Sequence, residues 1–178
     1  KPGSVGLPAL LALDLIGIQV TQAPDADADA VFHVGQGARV TAAGHPDMTP
    51  VMTLGSIDAA GIWLRDPAFP AVPSAIELTA HQTPSRLSAA LRATSAATLL
   101  DAAVVLPSLS PANRVALWRR ACADAWATAD LVHEAAALGI RPAAPPATVS
   151  LMGAVAADVP TLLALRTWLE SRWAWRAG

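Results

Sequence analysis

The sequence predicts a single mixed α/β domain over residues 1–178, with an α+β arrangement as the alternative. Three observations carry that expectation. The length of 178 residues suits one hydrophobic core and is short for two. Before Ser74, short apolar runs are separated by glycine- and proline-rich turns, which reads as a strand-rich N-terminal half. From about residue 74 to the C-terminus, short apolar runs alternate with capped, amphipathic stretches, the pattern of a parallel sheet with covering helices.

Taken in order, Leu10, Leu11, Leu13 and Leu15 suit a short helix, whereas Leu15 to Val20 reads better as a strand. Asp25, Asp27 and Asp29 mark an acidic turn. Val31 to Val34 predicts a strand broken at Gly35 to Gly37, with Arg39 to Ala42 as the second arm of a hairpin. Strands are expected at Val51–Leu54 and Gly61–Leu64, then an irregular proline-rich stretch from Asp66 to Pro73. In the second half, Ala75–Thr79, Ala102–Leu106 and Thr148–Met152 predict strands. Thr83 and Pro84 signal a helix start carrying Leu87 and Leu91. Asp158 caps a last helix from Pro160 to about Trp175.

The strongest single signal lies between Ser110 and Gly139. Ser110 can cap a helix, Pro111 suits its first turn, and Gly139 followed by Pro142 ends it. Val115, Trp118, Cys122, Trp126, Ala129 and Val132 recur at three- and four-residue steps, one apolar stripe on an unbroken helix. The expectation is that both tryptophans are buried and that this helix organises the fold.

Composition excludes more than it identifies. Lys1 is the only lysine, so neither a Walker phosphate loop nor a lysine Schiff base can be assembled. One cysteine excludes cysteine-built zinc sites and intrachain disulfides, and fits a reducing, cytoplasmic setting. The net charge of −2 supplies no basic field for nucleic acid. A mean hydropathy of +0.42 is high, but alanine supplies much of it and no uninterrupted apolar run is long enough to span a bilayer. His133-Glu134 lacks the second histidine of a zinc protease motif. Gly3-Ser4-Val5-Gly6 lacks the spacing of a nucleophile elbow, and Gly35 and Gly37 lack the third glycine of a dinucleotide loop.

Three positive patterns remain. His33, His45 and His81, with Asp47, could assemble a histidine–carboxylate site, with or without a metal, if the fold gathers them. The alternative for each is a structural histidine or turn residue. The acidic turn lacks the glycine and closing glutamate of a calcium loop, so no metal or other cofactor is assigned. At the C-terminus, Trp168, Trp173 and Trp175 stand among Arg172 and Arg176, residue types that dominate interface energetics. Trp173 and Trp175 point about 200° apart on a helix, so one is expected to be exposed. The leading expectation is therefore a non-catalytic binding or regulatory domain, a component of a larger assembly. It would meet a protein partner or a second copy through the C-terminal helix, without nucleic acid and without an integral membrane segment. A small enzyme domain built on the histidine–carboxylate set is the alternative.

Overall fold

The computed structural model describes residues 6–24, 27–34, 44, 48–100, 103–138, 140–141 and 145–175. Among these, the chain is mostly helical and the predicted α/β alternation is absent. Seven helices are α1 Leu7–Leu15, α2 Ala75–Leu78, α3 Arg86–Thr98, α4 Ala112–Trp126, α5 Ala129–Ala137, α6 Pro145–Val155 and α7 Val159–Trp173. The described sheet is a two-stranded antiparallel pair, β1 Ser56–Ile57 and β2 Trp63–Leu64, with Ser56 opposite Leu64 and Ile57 opposite Trp63.

α3 is the axis of the packed body: α1, α6 and α7 all lie against it. Its start is a reciprocal cap, in which the Ser85 hydroxyl accepts from the Ser88 amide at 3.1 Å while the Ser88 hydroxyl accepts from the Ser85 amide at 2.9 Å. Its covered residues are Leu91 and four small ones, Ala90, Ala93, Ser95 and Ala96. Small side chains let neighbouring helix axes approach closely. α1 carries Pro8 in its first turn and stops at Gly17, whose positive φ of 83° suits glycine. Leu11, Ala12, Ala75, Ile76, Ala90, Leu91 and Trp168 form the buried core, with Leu165, Leu169 and Trp173 packed against it.

The expected strands differ from the structure for a common reason. A short apolar run does not distinguish a strand from a buried helical turn by periodicity alone. At Ala75–Thr79 the Ser74 hydroxyl accepts from the Glu77 amide and starts α2 instead. Thr148–Met152 lies inside α6, where Ala147 and Leu151, four residues apart, are buried. Residues 16–20, 31–34 and 103–106 belong to no strand, and Val104 and Val105 are exposed. Of Val51–Leu54, Thr53 alone makes a bridge, to Ser74, and Gly61–Leu64 contributes β2. Arg39 to Ala42, Asp25 and Gly35 to Gly37 lie outside the described residues.

The Ser110–Gly139 expectation needs three corrections, and its end signals, Gly139 and Pro142, lie outside the described residues. Pro111 rather than Ser110 takes the cap position, with no side-chain cap. The helix is broken: α4 ends at Trp126, and Thr128, with ψ of 131°, starts α5. It also does not organise the core, since no residue of α4 is buried and Trp118 is 48% exposed. The apolar stripe is present as a pattern, but α4 packs mainly on α5 and not on α3. The α4–α5 hairpin is fastened at its far end, where Arg141 donates both terminal nitrogens to the Asp66 carboxylate at 2.9 and 3.1 Å.

Among the described residues no single helix is long and apolar enough to cross a membrane. Residues 146–155 and 159–173 reach that length only together, bent by 61°.

Candidate functional site

Two of the histidine–carboxylate candidates, His45 and Asp47, lie outside the described residues. The other two, His33 and His81, are exposed, His33 in a segment without regular structure and His81 just after α2. Among the described residues, no three His, Cys, Asp or Glu side chains are grouped so as to hold a metal ion. Cys122 is half-buried on α4 rather than enclosed in a core.

The C-terminal helix has its polarity reversed relative to expectation. Its tryptophan end is turned inward. Trp168 is 6% exposed, and its indole N–H donates to Asp14 Oδ2 at 2.8 Å. Arg172 Nε donates to Asp14 Oδ1 at 3.0 Å, and its Nη2 donates to the same oxygen. Burial pushes the Asp14 carboxyl up, but the hydrogen bonds from Trp168 and Arg172 and the guanidinium charge outweigh it and hold the carboxyl below its ordinary value. Trp173 meets Trp168 edge-on, with ring centroids 6.4 Å apart at 61°. Trp173 and Trp175 are both half-buried, and Arg176 lies outside the described residues. The leucine end is instead turned outward: Val159, Leu162 and Leu163 are exposed, as are Val149 and Met152 on α6.

A cleft of about 490 Å³ opens between the β-hairpin and α2, walled by Trp63, Arg65, Ile76, Glu77 and Arg92. Arg65 grips Glu77 through two parallel hydrogen bonds of 2.8 and 2.5 Å and also donates to the Pro70 carbonyl at 3.3 Å. The paired guanidinium holds the Glu77 carboxyl below its ordinary value. The charges on this wall are thus largely spent on each other, and the pair fixes α2 to the strand end. Next to two of the lining residues, Leu64 and Ser74, stands Gly55, whose φ is 82° and whose hypothetical Cβ would stand 2.6 Å from the Leu64 carbonyl.

The α4–α5 pair carries a second group of uncovered apolar side chains beside that of α6 and α7. Leu117, Trp118, Leu131 and Val132 are exposed, and Leu138 caps the end of α5, also exposed. Val115, Cys122 and Trp126 are half-buried on the same face of α4 as Trp118, and Leu117 stands on the other side. Asp14 and the Arg65–Glu77 pair were not legible in the sequence. Their partners lie 154 to 158 and 12 residues away, and no local spacing announces them.

Comparison with models of known protein families, with curated proteins and with solved structures finds no match for this chain.

Proposed function

We propose that this chain is a non-catalytic binding domain, a component of a larger assembly, that docks a protein through its α4–α5 hairpin. One observation carries the reading: α4 has an amphipathic pattern with two tryptophans, yet none of its residues is buried. Contiguous exposed apolar surface of this kind marks interaction sites, and tryptophan flanked by arginine is the composition of their energetic centres. Here Trp118 is followed directly by Arg119 and Arg120. The compact body of α1, α2, α3, α6 and α7 then serves as the platform that presents the hairpin.

A second reading uses the C-terminal helix, favoured by the exposure of Val159, Leu162 and Leu163 on its first half. A partner there would meet the leucine end, since Trp168 and Arg172 are committed to Asp14.

The test compares two surface variants of the intact chain, Trp118→Glu with Leu131→Glu, and Leu162→Glu with Leu163→Glu. Associated protein is scored by cross-linking and light scattering, and thermal unfolding verifies the fold. The hairpin variant is expected to lose association with its melting temperature nearly unchanged. Loss only in the C-terminal variant favours the second reading, and no loss in either defeats both.

A further inference from the structure

We infer that the occupant of the α4–α5 hairpin is a second copy of this chain, with each α4 lying against the α5 of the other copy about a two-fold axis. The inference rests on the docking reading above and adds to it the identity of the partner.

The argument is one of charge. α4 carries Arg114, Arg119 and Arg120 against the single acid Asp124, so it is a basic helix. α5 carries Asp130 and Glu134 and no lysine or arginine, so it is an acidic one. The ion pairs of the described residues lie elsewhere, at Arg65–Glu77, Arg141–Asp66, Arg166–Glu170 and Arg172–Asp14. None of the six hairpin charges is neutralised within its own chain. A hairpin with one basic and one acidic arm is complementary to itself.

Symmetry then selects the pairing. In a two-fold interface the same patch is used by both copies, so any contact from α4 to α5 occurs twice. Setting α4 beside α5 of the second copy brings arginines to carboxylates in both halves. Setting α4 beside α4 brings arginines together, and like charges across an interface suppress that arrangement. The exposed Leu117, Trp118, Leu131 and Val132 supply the apolar centre that the charges frame. The product is an assembly of four helices, two from each copy.

The experiment uses the full chain and two charge-reversed variants, Arg119→Glu with Arg120→Glu, and Asp130→Arg with Glu134→Arg. Sedimentation velocity over a concentration series gives the dissociation constant, and circular dichroism verifies helix content. The wild type is expected to dimerise. Each variant alone should be weakened by at least about tenfold, since each places like charges opposite one another. An equimolar mixture of the two should recover a dimer made of one of each. Ionic strength of about 1 M, where the screening length falls to about 3 Å, should weaken the wild-type dimer, a measurement that needs no variant to fold. A wild type that remains monomeric overturns the self-pairing alone, because Trp118→Glu still reports on binding to another protein. A wild-type dimer indifferent to both reversals, or a mixture that stays monomeric, overturns the pairing of α4 with α5.

Discussion

α3 and α4 are similar in length and opposite in fate. α3 contains no aromatic residue and two leucines, yet α1, α6 and α7 all pack on it and Leu91, Ser95 and Ala96 are fully covered. α4 contains two tryptophans, a leucine and a valine, and buries none of them. The difference lies in side-chain size rather than in apolar strength. Alanines at 90, 93 and 96 give α3 a smooth surface that several helices can approach at once. The bulky stripe of α4 meets one short neighbour and is left largely uncovered. An amphipathic helix shows that something could be buried, not that this chain buries it.

The largest effect separates two tryptophans. Trp168→Ala should cost roughly 3–5 kcal/mol, because it opens a cavity beside Leu91 and frees Asp14 from a hydrogen bond. Trp118→Ala should stay within about 1 kcal/mol, as expected of an exposed position. Equal losses in chemical denaturation would erase the distinction between the two regions.

How much of this was legible from residues follows the same line. The last helix begins where Asp158 and Pro160 place it, with the Asp158 carboxylate accepting from the Thr161 amide at 2.9 Å. The leucines of α1 were also readable, and so was the presence of α3, although its cap is Ser85 and not the expected Thr83, so that it starts at Arg86 rather than Pro84. α2 and α6 were not, since both are short apolar runs whose helical state depends on what they pack against. Nor was the place of the core. Trp118 and Trp168 each stand beside a leucine on a helix. Trp168 is inside because residues far away along the chain, Leu11 and Leu91 in its cluster and the Asp14 carboxylate, meet it there. The histidine–carboxylate set drew on residues with no helical spacing, and the described members, His33 and His81, are both at the surface.

An intermediate effect tests the role of small residues. Ala96→Leu should destabilise by roughly 1–3 kcal/mol, because the α3 surface is fully covered there and has no room for added carbons. Ala121→Leu, on an exposed position of α4, should be nearly neutral. Melting temperatures of the two single variants decide it, and a neutral Ala96→Leu would refute the close-packing account of α3.

The smallest effect concerns acid. The Asp14 carboxyl is held below its ordinary value in the folded state, so folding favours its ionised form. That contribution is complete above the unfolded value of about 3.9 and is lost as pH falls through the folded value. Because Arg172 is substantially exposed, the tie is worth no more than about 1 kcal/mol after screening. Asp14→Asn should therefore lower stability slightly at neutral pH and flatten its decline as pH falls below about 4. An unchanged acid limb in the variant would assign that decline to other carboxylates.

The Asp14–Trp168 bond spans 154 positions of the chain, and that separation has a kinetic consequence. α1 can pack on α2 and α3 once they form, but the tie from Asp14 to Trp168 must wait for the last helix. At about 5–20 residues per second of synthesis, that wait is roughly ten to thirty seconds. Throughout it Asp14 lacks the indole and guanidinium donors that later hold it. Closing so long a loop also slows folding of the finished chain, because its entropy is lost before the contact rewards it. The protein is thus a late closer, and a pause in translation before residue 168 would hold it without this clasp.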